Sequence, residues 1–264
     1  MSVVIKSADE VAAMREAGRL NAEIRVLLRA AIRPGVSGRE LDQLAKREIA
    51  RRDAEPTFRG YAPGGRPPYP GAICFSVNEE LVHGIPGDRA LKEGDVVSID
   101  LGVTYRGWVS DAAFTVGVGK IEPRAEELLR VTEEALWDGI RAAVSGAHLG
   151  DVSHAIGRRA GGYGIVEQYG GHGVGRRMHE EPHILNRGRK KTGMRLKAGM
   201  VLALEPMFAL GHADTVEGPD SWTVTMRDGG LSAHFEETIA VTDAGPEVLT
   251  GIDEAAAVPA ISGA

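Results

Sequence analysis

The stretch His179-Glu180-Glu181-Pro182-His183 satisfies the pattern H-E-x-x-H, in which two imidazoles hold zinc and the glutamate acts as base. That chemistry needs a helix, where residues four apart share a face. Pro182 occupies the turn that would have to be helical and pushes Glu181 out of the α region. Gly170, Gly171, Gly173 and Gly175 just upstream discourage a helix further. The helical zinc site is therefore set aside, and the histidines need another explanation. Four carboxylates supply a better lead. Asp100 closes "DVVSID" on the face of Val96 and Ser98, and Asp111 in "WVSDAAFTV" shares a face with Ala113 and Thr115. Glu205 ends "MVLALE" on the face of Val201 and Ala203, and Glu236 in "LSAHFEETIAV" shares a face with His234 and Thr238. Each acid lies among small or polar neighbours, opposite an apolar face. A buried carboxylate without a partner is costly, and these segments contain almost no Lys or Arg to neutralise it. Divalent metal is the economical partner, because four carboxylates and an imidazole can hold two ions about 3.5–4 Å apart. For any single acid a solvent-facing strand end is the simpler reading. Four in such similar settings favour metal.

The whole chain bounds what such a centre could serve. A length of 264 residues fits one large domain or two small ones, and 43% hydrophobic with 26% charged content describes a globular protein with ample core. A net charge of −6 makes no electrostatic case for binding nucleic acid or an anionic membrane. One cysteine excludes a disulfide framework and a cysteine-based zinc site. The opening "MSVVIKSADE" lacks a basic segment followed by an apolar run, and no stretch of 18 apolar residues occurs, so a soluble cytoplasmic protein is expected. Residues 253–264 have little to bury and read as a loose tail.

The elements that must position the acids come in two similar sets. Ser7 with Glu10 makes a capping box before Val11, Met14, Leu20, Ile24, Leu27, Leu28 and Ile32, which keep helical spacing up to Pro34-Gly35. Ser37 with Glu40 makes a second box, and the strand-like runs "AICFSV", "DVVSIDLGV" and "DAAFTVGVG" follow, with a turn at Gly107. Pro123 then opens a long helix through Val144, ended by Gly146; a short helix near 151–160 precedes further strands. Leu91-Lys92-x-Gly94-x-Val96 recurs 105 positions later as Leu196-Lys197-x-Gly199-x-Val201, and at the same offset Asp100 lines up with Glu205. Helices followed by strands, twice, predict an α+β fold of two related halves, about 1–119 and 120–252, with a site at their junction.

At this level of detail the motifs resemble methionine aminopeptidases of the short bacterial type. The resemblance runs from "IKSADEVAAMREAGRL" through "CFSVNEELVHGIP", "GDVVSIDLGVTYRGWVSDAAFTV", "YGGHGVGRRMHEEPHI" and "LEPM" to "WTV" and "LSAHFEETIAVT". It implies the pita-bread fold, two pseudo-symmetric halves around a central antiparallel sheet, as one catalytic domain over 1–252. It implies removal of the initiator methionine from nascent polypeptides whose second residue is small. Carried over by position, Asp100, Asp111, His172, Glu205 and Glu236 would hold two divalent ions, Co, Mn, Fe or Zn, with Asp111 and Glu236 bridging. Glu205 would also shuttle a proton, and His83 and His179 would hydrogen-bond substrate or intermediate without binding metal. Cys74, Phe75 and Trp222 are candidates for the methionine pocket, with Tyr69 or Tyr61 as its tyrosine.

Some positions depart from the family pattern. The loop "FRGYAPGGRPPYPGAIC" is longer than usual, Ser221 replaces a frequent Gly, and His234 stands where Gln is common. His234 shares the face of Glu236, but its ordinary reading is a satisfied structural histidine. His148, His154, His183 and His212 have no motif support and read as structural or surface residues. Expected partners are nascent N-termini, with the ribosome as a candidate meeting place; no nucleic-acid site and no membrane contact are expected, and the chain reads as a monomer. The rivals are an X-Pro peptidase of the same fold and a metal-free peptide-binding module. The 31 positions from Glu205 to Glu236 leave no room for the helical insertion of the eukaryotic-like subclass.

Overall fold

The structure is a computed structural model that describes residues 3–251. The expected tail at 253–264 lies outside the described residues. In chain order the elements used below are α1 (Ala8–Ala31), α2 (Gly38–Ala50), β1 (Ile73–Val77), β2 (Val96–Tyr105), β3 (Trp108–Gly117), α3 (Pro123–Ala142), α4 (Leu149–Arg159), β4 (Gly171–Gly173), β5 (Glu180–Ile184), β6 (Val201–Leu204), β7 (Met207–Ala209), β8 (Ser232–His234), β9 (Glu237–Thr242) and β10 (Gly245–Val248).

Both capping boxes form as expected. Ser7 and Ser37 each accept from the backbone N–H three residues on, while Glu10 and Glu40 reach back to the cap N–H, satisfying donors that a helix start leaves free. Helix α3 begins at Pro123, whose missing N–H costs nothing there, but ends at Ala142, so Val144 lies beyond it and is exposed. In α4 the Asp151 carboxylate accepts from the His148 N–H.

The first half's sheet is built on β2, which pairs antiparallel with β1 on one side and β3 on the other. Strands β2 and β3 form a long hairpin closed at Arg106-Gly107, where φ is 50° and 74°. Positive φ at both central residues is what a two-residue hairpin turn matched to strand twist requires. The second half has a five-stranded antiparallel sheet in the order β10-β9-β6-β4-β5.

The recurring Leu-Lys-x-Gly segment folds the same way in both copies. Gly94 and Gly199 are left-handed at φ 91° and 88°, and the following N–H turns back onto the lysine carbonyl at 3.1 Å in each (Asp95 to Lys92, Met200 to Lys197). Leu91 exchanges backbone bonds of 2.8 Å with Gly35 and Val36 after α1. Leu196 does the same with Gly146 and Ala147 after α3, at 2.9 and 2.8 Å. The two halves share their main core: Ile24 and Leu28 of α1, Leu136 and Ile140 of α3, Ile99 of β2 and Leu202 of β6 belong to one buried apolar cluster.

Candidate active site

The acids meet on the seam between the halves. Asp100 on β2 is directly opposite Ala113 on β3, and Ala113 exchanges both backbone bonds with Glu236 across the seam, at 3.2 and 2.9 Å. Directly opposed residues lie on one face of a sheet, so Asp100, Ala113 and Glu236 form a row. The small Ala113 methyl leaves space between the two carboxylates, with Asp111 two residues away on the same face. Two threonines extend the seam. The Asp111 N–H donates to Thr238 Oγ1 at 3.1 Å, and that hydroxyl donates back to the Asp111 carbonyl at 2.7 Å. Thr115 does the same for His234, accepting from its N–H at 2.9 Å and donating to its carbonyl at 2.6 Å. Hydroxyls thus stand in for ladder bonds where the strands begin to diverge.

Glu205 follows β6 directly, its carbonyl accepting from Asn186 Nδ2 at 3.1 Å. His172 sits on β4 between β5 and β6. Its Nδ1 lies 2.9 Å from the Gly173 carbonyl, an acceptor only, so Nδ1 carries the proton and Nε2 is a free lone pair. Nε2 is 4.0 Å from Asp111 Oδ2 and 3.9 Å from Glu205 Oε1.

The electrostatics show what this cluster lacks. Burial and the neighbouring carboxylates push Asp100 and Glu236 well above the usual range, and burial lifts Asp111 to about 6. Burial works to raise Glu205 as well, but His234 and His172 outweigh it and hold that carboxyl low. Asp100 Oδ1, Asp111 Oδ1 and Glu236 Oε1 are buried with no hydrogen-bonding partner. Orphaned carboxylate oxygens beside a free imidazole lone pair fit a divalent cation, which would reverse those shifts.

The acids form one end of a cavity of about 430 Å³. Its walls include Tyr61, Tyr69, Cys74, His83, His179 and Trp222. Trp222 meets Tyr69 edge-on at 5.1 Å between ring centroids and His83 at 6.2 Å. Both tyrosines reach the cavity, but differently. Tyr69 is buried and donates its hydroxyl to the Gly84 carbonyl at 2.7 Å, so only its ring serves as wall. The Tyr61 hydroxyl is 2.7 Å from His179 Nδ1. Burial pushes the Cys74 thiol up, leaving it a neutral apolar wall. Burial also pushes His83 down to about 4. His179 opens onto the cavity yet is walled by protein, and this desolvation together with His172 lowers it to about 4.

Phe75 corrects one expectation. It lies on the opposite face of β1 from Cys74, in the main core with its ring against Gly38 of α2, and does not line the cavity. The pocket instead takes Phe58, edge-on to Tyr69 at 6.5 Å, and Tyr169, edge-on to His83 at 5.9 Å. Neither was marked by a motif; Phe58 sits only three residues before Tyr61 in the long loop, which was its available signal.

Within "HEEPH" the residues from Glu180 onward form the strand β5, paired with β4, and His179 ends the loop before it. Glu180 does not face the acids: it pairs with Lys6 Nζ at 2.8 Å, both side chains almost fully buried, and accepts from the Arg176 and Arg177 N–H groups. It pins the loop that ends in His179. His183, read as structural or surface, is exposed at the cavity wall, whereas His148, His154 and His212 are not among the lining residues. His234 is buried against the acids, but its Nε2 has no hydrogen-bonding partner, so it is not the satisfied histidine expected.

The sequence matches the family model of the metallopeptidases M24 over residues 12–243. The chain belongs to metallopeptidase family M24. It is 44% identical over 260 residues to a methionine aminopeptidase of Aquifex aeolicus, covering 95% of this chain and 99% of that protein. It is 46% identical over 252 residues to methionine aminopeptidase 1 of Bacillus subtilis, covering 95% and 100%. The solved methionine aminopeptidase from Rickettsia prowazekii superposes with a TM-score of 0.91 at 40% identity, covering 95% of this chain and 100% of that one. A prolidase from Pyrococcus horikoshii superposes at 0.73 with 23% identity, 95% of this chain matching 64% of that one, which shows the shared pita-bread fold alone. Within its family the chain falls with the methionine aminopeptidases. Among the described residues no helix is long and apolar enough to cross a membrane.

Proposed function

We propose that this chain hydrolyses the first peptide bond of polypeptides that begin with methionine and continue with a small residue. The observation that supports it best is one cavity with apolar, aromatic walls and a carboxylate end. The walls suit a flexible thioether side chain, and the acids suit a metal-assisted hydrolysis beside it.

In this reading Asp100, Asp111, His172, Glu205 and Glu236 would hold two divalent ions. Bound ions of this kind polarise a carbonyl oxygen and make water acidic enough to attack at neutral pH. The protein's own groups do the rest. Glu205 takes the proton from the attacking water on a carboxylate oxygen and hands it to the departing amine. His179, its Nδ1 accepting from Tyr61, keeps its proton on Nε2 and donates it as a hydrogen bond to the oxygen on which charge builds. His83 hydrogen-bonds the substrate from the other wall, while Tyr61, Tyr69, Cys74 and Trp222 hold the methionine side chain. Residues 1–252 act as one catalytic domain, and the monomer works in the cytoplasm on emerging chains, where ribosomes supply them.

The test compares free methionine released from Met-Gly, Met-Ala and Met-Ser peptides with cleavage of X-Pro peptides, before and after chelation. Methionine release that chelation abolishes and Mn or Co restores supports the reading. Efficient X-Pro cleavage with little action on Met-Ala transfers the assignment to the prolidase branch.

A further inference from the structure

The proposed function leaves one buried imidazole idle. His234 is 2% exposed, and its Nε2 lies 3.5 Å from Glu205 Oε2 and 3.7 Å from Glu236 Oε2. A charge-assisted hydrogen bond would close to about 2.7–2.9 Å. Two donors on one divalent ion, each about 2.0–2.2 Å from it, stand roughly 3.0–3.5 Å apart. The spacing therefore suits shared coordination better than a direct pair. It also parallels His172, whose Nε2 stands 3.9 Å from the other oxygen of Glu205 and 4.0 Å from Asp111, so Glu205 lies between the two imidazoles. Donor atoms of Glu205, His234 and Glu236 lie within 4.8 Å of one another, as do those of Asp111, His172 and Glu236. The two trios share Glu236.

Placement and charge agree. Thr115 grips both backbone groups of His234, which holds the residue to the seam from which its imidazole reaches the acids. Four carboxylates already balance two dications, so any further donor should be neutral, as an imidazole is.

We infer that His234 is itself a metal ligand, forming with Glu205 and Glu236 a second histidine-bearing site, so that the centre carries one imidazole for each ion. The inference rests on the dinuclear reading above. A nitrogen donor in place of an all-oxygen shell shifts that site's preference toward Fe, Co and Zn relative to Mn.

The test uses the full chain loaded with Co(II), followed by NMR of contact-shifted imidazole signals, with calorimetric titration of Zn and Mn. Wild type is expected to show two shifted imidazoles, one vanishing in His234→Gln and the other in His172→Ala. His234→Gln should weaken Zn at one of two sites by about 10²-fold, at or beyond the upper end for losing an outer-shell partner, with a smaller loss for Mn. The wild-type spectrum counts imidazoles by itself, so a misfolded variant does not blunt the test. A single shifted imidazole in a wild-type protein that binds two ions and releases methionine overturns this inference and leaves the proposed function standing. A wild-type protein that binds no Co overturns both.

Discussion

The two halves offer their acids to the cavity in different ways. Asp100 and Asp111 sit inside the ten-residue strands β2 and β3, each flanked by continuous ladder bonds. Their partners in the second half sit at interruptions: Glu205 just past β6, Glu236 in the gap between β8 and β9. Asp100 and Glu205 occupy equivalent positions in the repeat, yet one is held by a sheet and the other by a strand end and Asn186. A regular strand fixes a side chain to one face at a fixed rise. A break lets two neighbours, such as His234 and Glu236, turn toward one point. The hairpin half is thus a rigid wall, and the interrupted half adjusts to it.

The largest expected effect comes from the rigid wall. Asp111→Asn should lose metal and activity together, because an amide brings no charge to the proposed centre. The same change should stabilise the metal-free protein at neutral pH. The folded pKa of Asp111, about 6, lies above its unfolded value of about 3.8. Its contribution is therefore complete below 3.8 and lost as pH rises through 6, so the ionised carboxylate penalises the metal-free fold at pH 7 and above. Metal-free Asp111→Asn should melt above metal-free wild type at pH 7.5, the gap closing toward pH 4. A metal-replete, active variant would break the dinuclear reading.

Next in size is the loop pinned by Glu180. His179→Ala should keep its metal and lose turnover by about 10²–10³, the range for one oxyanion donor. Loss of metal in that variant would make His179 a ligand and move the boundary between the two regions.

The seam itself gives the sharpest contrast. Thr238→Val leaves the buried Asp111 N–H without an acceptor, and Thr115→Val does so for His234, each costing about 1–3 kcal/mol. Equal melting losses are expected, but metal affinity should fall further in Thr115→Val, because its partner His234 is the last residue of the short strand β8. Equal affinities in metal titration would mean that the broken half is as rigid as the hairpin. The smallest effect belongs to His183→Ala, at the exposed end of the cavity, for which turnover within about threefold of wild type is expected, as for a surface substitution.

Much of this was legible in one dimension. Capping boxes, Pro123, the Leu-Lys-x-Gly repeat and the alternation around each acid are local signals, and the structure repeats them nearly residue for residue. Pro182 likewise forbade the zinc helix before any fold was in view. The sequence also placed Thr115 on the face of Asp111, and Thr238 on that of Glu236. What it could not supply is which face meets which. The resemblance put both Cys74 and Phe75 in the pocket, but neighbours in a strand point to opposite faces, and the packing of Phe75 on Gly38 of α2 leaves only Cys74 on the cavity. It left a choice between Tyr61 and Tyr69 that the folded loop resolves by using both, one as ring and one as hydroxyl. The grip of Thr115 on His234 joins residues 119 positions apart. Such contacts arise from chain closure between halves, and no local spacing encodes them. The sequence by itself therefore determined the elements, their doubling and the acids they carry. The tertiary structure alone decided that a histidine departing from its family's pattern turns inward against those acids.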